Sequence, residues 1–215
     1  MGGLSMMAKR VFDILAASAA LLLLWPLLLL IAILVKTGSS GPILYRGERT
    51  GRYGKPFHIL KFRSMVVEAE RLGGYSTAQN DPRVTRIGRF LRRFKLDELP
   101  QLFNVLRGEM SIVGPRPEVP AYTRLYVGEE LLILTVLPGI TDYSSIKFSQ
   151  LDKTLGTEAP DRVYEEIVLP DKNLLRLKYV ETQTFWGDMG IIISTMACVA
   201  GDVLGWRRRM DIRGA

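Results

Sequence analysis

From Ile14 to Val35 the chain reads "ILAASAALLLLWPLLLLIAILV", every position apolar or small, with no charge anywhere in the run. As a straight helix this run extends about 33 Å, enough to cross a bilayer core. It is too long for a signal-peptide core and no small-residue cleavage site follows it, so it is expected to stay in the mature protein. Two features argue against a simple span. Pro26, close to the centre, deletes a backbone hydrogen bond and pushes on the preceding turn. Both flanks are basic, with Lys9 and Arg10 before the run and Lys36, Arg46, Arg49, Arg52, Lys55, Lys61 and Arg63 after it. Each flank favours the cytoplasmic face, which a helix that enters, bends at Trp25-Pro26 and returns can satisfy. A re-entrant hairpin is therefore expected, with freed carbonyls near Leu22 and Leu23 in need of partners.

The pattern changes after Gly38-Ser39-Ser40-Gly41-Pro42, a turn cluster. Ile43 to Glu48 and Phe57 to Phe62 read as short strands around "RTGRYGKP", hence a β-hairpin. Ile87, Phe90, Leu91 and Phe94 fall at helical spacing, opposite Arg86, Arg89, Arg92 and Arg93. Leu99, Leu102, Phe103 and Leu106 repeat the spacing and predict a second helix that Gly108 can end. Towards the C-terminus Ile191 to Leu204 is apolar but too short to span and is interrupted by Asp202. Trp186, Trp206 and Arg207-Arg208-Arg209 flank it, as suits an interfacial or core helix. No internal repeat or low-complexity tract is present.

Charge sharpens this picture. The 215 residues carry a formal net charge of +7 at pH 7, yet the mean hydropathy is +0.12. A basic surface joined to an oily segment suits an anionic partner: nucleic acid, an acidic lipid surface or a phosphorylated substrate. The single cysteine, Cys198, excludes an internal disulfide and reads as a small buried hydrophobe. The opening "MGGLSMM" misses the myristoylation pattern at position 6.

Absent motifs narrow the chemistry. The chain has no Walker A loop, no GxGxxG fingerprint and no Asp-x-Asp motif. His58 is the lone histidine and falls in a predicted strand, which disfavours a zinc site or a histidine triad. What remains is the adjacent pair Asp97-Glu98 among arginines, a set able to perform phosphoryl chemistry by carboxylate attack at phosphorus. At the start of a predicted helix the same pair reads as an N-cap, Pro100 being tolerable in a first turn. Sequence leaves cap and nucleophile both open. Arg116, between Pro115 and Pro117, is confined to an extended backbone, and its fork suits a diphosphate or a carboxylate. A merely structural Gly-Pro-Arg-Pro turn is the alternative.

With those residues in view, the chain resembles the bacterial sugar transferases of the monotopic phosphoglycosyl transferase type. The carriers are "KRVFDILAA" with the proline-broken run, "YRGERTG", "KFRSM", "LRRFKLDELPQLFNVLRGEMSIVGPRPE", "LPGIT" and "YVETQTFWGDMGIII", spread from about Lys9 to Val199. The resemblance implies transfer of a phosphosugar from a UDP-sugar to a polyprenyl (undecaprenyl) phosphate, with release of UMP. It implies a covalent phosphosugar on Asp97, with Glu98 serving Mg²⁺ and proton handling, so that both carboxylates are candidate metal ligands. By matching, Lys61, Arg63, Arg92, Arg116, Glu118 and Asp188 are implied in the substrate pocket or its support. Implied partners are the UDP-sugar, the polyprenyl phosphate and the phospholipid membrane, without nucleic acid, and a homo-oligomer is left open. The implied place is the cytoplasmic leaflet of the bacterial inner (cytoplasmic) membrane, without crossing it.

Two departures stand out. Trp25 occupies the position before the helix-breaking proline where many members have Ser, and Asp142-Tyr143-Ser144 follows "LPGIT" where one large branch has Gly, an aromatic residue and Gln. A longer insertion then runs through Lys172, which leaves the donor sugar unnamed. Rival readings are a glycosyltransferase releasing UDP, a membrane-tethered module binding nucleic acid through its arginines, and a scaffold whose carboxylates only cap a helix. The expected fold is α+β and mainly helical. It comprises a re-entrant membrane segment within 1–37, a catalytic domain over 38–205 with the hairpin and interfacial amphipathic helices, and a basic tail over 206–215.

Overall fold

The computed structural model of the protein describes residues 3–77, 81–149, 151 and 160–204. Trp206, the arginine run behind it and the expected tail lie outside the described residues. The first element, α1 (Gly3–Gly38), is one helix with Pro26 inside it. It is long and apolar enough to cross a membrane by length and composition, with a mean hydropathy of 2.8 over its most apolar window. The helix runs on through Pro26, which costs one hydrogen bond and local crowding that a helix absorbs by bending.

Both ends of α1 nevertheless dock on one body. Near the N-terminus Ala17 packs with Phe57, Ile59, Val105 and Met110. Asp13, buried, accepts from Ser111 Oγ at 2.7 Å and from the Ile112 amide at 3.1 Å. Near the C-terminus Ile31 and Val35 pack with Phe62 and Leu91. Between these anchors the helix stands clear of protein: Leu22, Leu23 and Trp25 are 77%, 78% and 60% exposed.

The hairpin forms as expected from β1 (Leu44–Thr50) and β2 (Pro56–Phe62), antiparallel with Leu44 opposite Phe62 and Thr50 opposite Pro56. Tyr53 takes a left-handed conformation in its turn. His58 points outward on β2 and is exposed. Next, α2 (Arg86–Arg93) starts at Thr85, whose hydroxyl accepts from the Gly88 amide at 2.9 Å. Its buried residues are Gly88 and Leu91, whereas Phe90, expected on the inner face, is 53% exposed and lies 4.7 Å from the Phe94 ring. A glycine can be the inner contact because the helix passes so close to Ser64 that a side-chain carbon would meet its carbonyl oxygen.

The second predicted helix is α3 (Gln101–Leu106), and it too buries a different stripe: Gln101, Asn104 and Val105. Asn104 belongs inside because it splices α3 to β2, accepting from the Leu60 amide at 2.9 Å and donating to the His58 carbonyl at 2.8 Å. Two three-residue strands follow that no periodicity announced, β3 (Ser111–Val113) and β4 (Gly139–Thr141), paired in parallel. Gly114 and Gly139 touch back to back there, leaving no room for a side chain at either. The rest is helical: α4 (Tyr143–Lys147), α5 (Leu169–Thr182) entered through a π-turn at Tyr164–Val168, and α6 (Phe185–Leu204). Tyr122, Tyr126, Phe148, Tyr164 and Val168 form the core beneath α5.

Candidate active site

The carboxylate pair lies in neither helix. Lys95 turns the chain with a left-handed φ of 56°, a 3₁₀ turn runs from Leu96 to Glu98, and α3 begins only after Pro100. Neither turn nor helix has a side-chain cap bond. The cap reading therefore fails: Asp97 sits too far upstream of the free amides of α3. Its carboxylate is instead 5% exposed, and its Oδ1 has no hydrogen-bond partner among the described residues. Such a group costs stability unless something else uses it.

Around Asp97 the fold gathers cations from separate elements. β2 delivers Lys61, whose Nζ donates to Glu98 Oε1 at 3.0 Å. The loop after β3 delivers Arg116, whose Nη2 donates to the same oxygen. Arg116 is also tied down by Nη1 to the Ile140 carbonyl at 2.9 Å and by its amide to Asp142 Oδ2 at 3.1 Å. α2 contributes Arg92 and the turn Lys95, both near enough to act on Asp97 electrostatically.

These neighbours separate the two carboxyls. Burial pushes the Asp97 carboxyl up, Glu98 adds to that, and Lys61, Arg92 and Lys95 pull the other way without cancelling it. Burial would also raise Glu98, but Arg116 and Lys61 outweigh it and hold Glu98 well below the usual carboxylate range. Burial lowers the Lys61 ammonium, against the pull of Glu98. The site thus has one firmly ionised acid serving as a hub for two cations, and one desolvated acid with an oxygen to spare.

The other residues implied by resemblance take framework positions. Arg63 donates through Nη2 to Ser39 O at 2.8 Å, Ser39 Oγ at 2.9 Å and Val35 O at 3.4 Å, clasping the end of α1. Asp188 pairs with Lys9 at 2.5 Å, and the Tyr179 hydroxyl lies 3.0 Å from it. Lys9 also donates to the Val113 carbonyl at 2.9 Å, so this group braces β3 from behind. Glu118, half-buried two residues past Arg116, pairs with the buried Arg176 at 2.5 Å and with the Tyr164 hydroxyl. The structure brings Lys61, Arg92 and Arg116 to the carboxylate pair and sets Arg63, Glu118 and Asp188 in its supports. Lys95, Asp142, Lys172 and Arg176 were missed as site or support residues. Only Asp142 carried a signal, its departure from the Gly of the large branch.

A divalent cation would find hard oxygen donors here. Mg²⁺ is usually held by one or two carboxylates plus substrate phosphates, and Asp97 Oδ1 is a spare buried donor beside Glu98. Among the described residues no group of three or more His, Cys, Asp or Glu side chains is placed to hold a metal alone. The pair therefore fits a cation that arrives with a diphosphate rather than one caged by protein.

Sequence comparison gives this geometry a context. The profile of the family described as bacterial sugar transferase matches residues 4–202. An undecaprenyl-phosphate glucose phosphotransferase of Komagataeibacter xylinus is 41% identical over 199 residues, 89% of this chain and 35% of that protein. A UDP-glucose:undecaprenyl-phosphate glucose-1-phosphate transferase of Escherichia coli (strain K12) is 39% identical over 200 residues, 91% of this chain and 41% of its own length. The chain thus spans well under half of these two relatives. The exopolysaccharide production protein ExoY of Rhizobium meliloti (strain 1021) is 46% identical over 208 residues and is covered over 85% of its length.

Proposed function

This chain belongs to the bacterial sugar transferase family, and from that premise we propose that it moves a phosphosugar from a UDP-sugar to undecaprenyl phosphate. The observation that carries the proposal is Asp97: a buried carboxylate with an unpartnered oxygen, under the influence of Lys61, Arg92 and Lys95, beside a Glu98 that holds Lys61 and Arg116. In the first half-reaction Asp97 attacks the β-phosphorus, the one bearing the sugar. The bond from that phosphorus to the oxygen bridging to the α-phosphate breaks, and UMP leaves with that oxygen. In the second, a phosphate oxygen of the polyprenyl carrier attacks the same phosphorus and expels Asp97. The product is a polyprenyl-diphosphate-sugar, and the carboxylate is regenerated.

The chain's cations would neutralise the charge that builds on the diphosphate, already oriented by Glu98 and so needing little rearrangement. Bound Mg²⁺ would supply further charge stabilisation at the diphosphate, held by Asp97 and Glu98. Held low by two cations, Glu98 is better suited to fixing Lys61 and Arg116 than to carrying a proton in this state.

The proposed setting is the cytoplasmic leaflet of the inner membrane, with α1 entering and leaving on one side. Its two ends, fixed to a single body at Asp13 and Ala17 and again at Ile31 and Val35, support this. A transmembrane helix would carry its ends to opposite faces, where one compact domain could not hold both. With α1 in the leaflet, a water-soluble donor could meet a lipid phosphate at Asp97.

The deciding experiment uses the protein in lipid nanodiscs with undecaprenyl phosphate and a panel of UDP-sugars, and identifies the nucleotide released. UMP is expected, together with a sugar label trapped on the protein when acceptor is omitted. Asp97→Asn should abolish both. Release of UDP, or UMP from a folded Asp97→Asn protein, would overturn the reading.

A further inference from the structure

Arg116 is the one residue between Pro115 and Pro117 with an amide to give, and the fold uses it. The amide donates to Asp142 Oδ2 at 3.1 Å, while the two ends of the guanidinium go to the Ile140 carbonyl and to Glu98. The side-chain bonds set the plane of the fork; the amide bond sets the backbone from which it hangs. Asp142 is fully buried and saturated. Its Oδ1 accepts from the Ser145 amide and the Ser145 hydroxyl, each at 2.6 Å, and Ser144 Oγ lies 2.8 Å from both carboxylate oxygens. Arg176 Nε stands 4.0 Å from Oδ2, and the same guanidinium holds Glu118. The Pro-Arg-Pro segment is thus gripped at Arg116 and again just beyond it.

We infer that Asp142 is the positioning residue of Arg116, setting where the guanidinium meets the donor diphosphate; this rests on Arg116 being a diphosphate contact, as proposed above. The alternative role for Asp142 is the N-cap of α4, through Ser145. Capping does not require a second acceptor oxygen. Asn caps a helix as well as Asp, yet in its place an amide NH₂ would face the Arg116 N–H, donor against donor. The single oxygen of Asn goes where two donors claim it, the Ser145 amide and hydroxyl, rather than to the one Arg116 amide, so Asp142→Asn keeps the cap and removes the anchor. A shift of about 1 Å in a positioning group can cost about a hundredfold in rate.

The test is made on the full chain in nanodiscs. Asp142→Asn should lower kcat for UMP release by about tenfold or more. In an Arg116→Lys background, where the planar fork is already gone, the same change should cost less than about threefold, because the two residues act as a unit. Penalties that simply multiply, or parental kcat in the single variant, overturn the inference. If the Asn variant does not fold, Asp142→Ser serves, since Ser also caps but cannot reach the Arg116 amide.

A second readout needs no substrate. Hydrogen exchange at the Arg116 amide, alone between two prolines, should accelerate by about tenfold or more in the variant while amides of β2 stay as they were. Unchanged exchange at Arg116 overturns the anchor. If exchange responds but the parent releases no UMP from any donor, the function falls and the anchor stands; if UMP is released and neither measure responds, the anchor alone falls.

Discussion

Glu118 keeps its negative charge where water barely reaches, and two cations make that possible. Burial alone would raise its carboxyl, but Arg176 and Lys172 hold it down at about 2, against an ordinary 4.5. A depressed carboxyl adds stability that is complete above its unfolded value and is lost as pH falls through the folded one, so the window here runs from about 4.5 down to about 2. That difference is worth about 3 kcal/mol, the order expected for breaking a buried ion pair. Glu118→Gln should therefore destabilise the protein by about 3 kcal/mol at neutral pH, read from denaturant unfolding in detergent, and flatten the acid limb below pH 4.5. An unchanged acid limb would mean that the pair contributes nothing. The Asp97-Glu98 pair was legible as a candidate site because few other groups in the chain could perform phosphoryl chemistry. Its local geometry was not, because the bend at Lys95 depends on a left-handed backbone that lysine does not advertise.

At the scale of elements, α2 shows how a helix can be chosen for its backbone. A side-chain carbon on Gly88 would come within 1.8 Å of the Ser64 carbonyl oxygen, backbone that cannot swing away. Gly88→Ala gains up to about 1 kcal/mol of helix propensity. The clash should outweigh it, with a net loss of about 1–3 kcal/mol in thermal or denaturant unfolding and reduced turnover as Arg92 shifts. A neutral or stabilised variant would show that the close approach is not needed. The same geometry explains what periodicity got right and wrong. The hairpin was legible because two short segments rich in apolar residues bracket a turn-forming loop of Gly, Lys and Pro. In α2 and α3 the 3.6-residue rhythm found the helices and part of their inner faces, Leu91 with Ile87 and Leu102 with Leu106, but not Gly88, which buries by having no side chain, or Asn104, which buries by bonding β2. β3 and β4 are three residues each and far apart in the chain, too short to impose a rhythm, and the Arg116 loop hangs from them.

For the whole molecule, topology is the open quantity that one measurement decides. Single cysteines at exposed Met6 and Ser40, in a Cys198→Ser background, are labelled with an impermeant reagent in right-side-out and inverted vesicles. Both should react only from the cytoplasmic side; reaction from opposite sides would make α1 a conventional span. Ser39 is left alone because Arg63 uses it. The basic flanks and Pro26 were enough to suggest a return to one face, but the grip at both ends could not be read from sequence, because its partners are far along the chain. Lys9 meets Asp188 across 179 positions. A ribosome adding about 5–20 residues per second needs roughly 10 to 35 s to cover that distance. Throughout that time Lys9 lacks its carboxylate partner, while α1 carries an apolar flank that the protein itself leaves exposed at Leu22, Leu23 and Trp25. If α1 lies in the leaflet as proposed, the membrane is the holding place in which the first helix waits for the last, and its delivery there precedes closure of the Lys9–Asp188 pair.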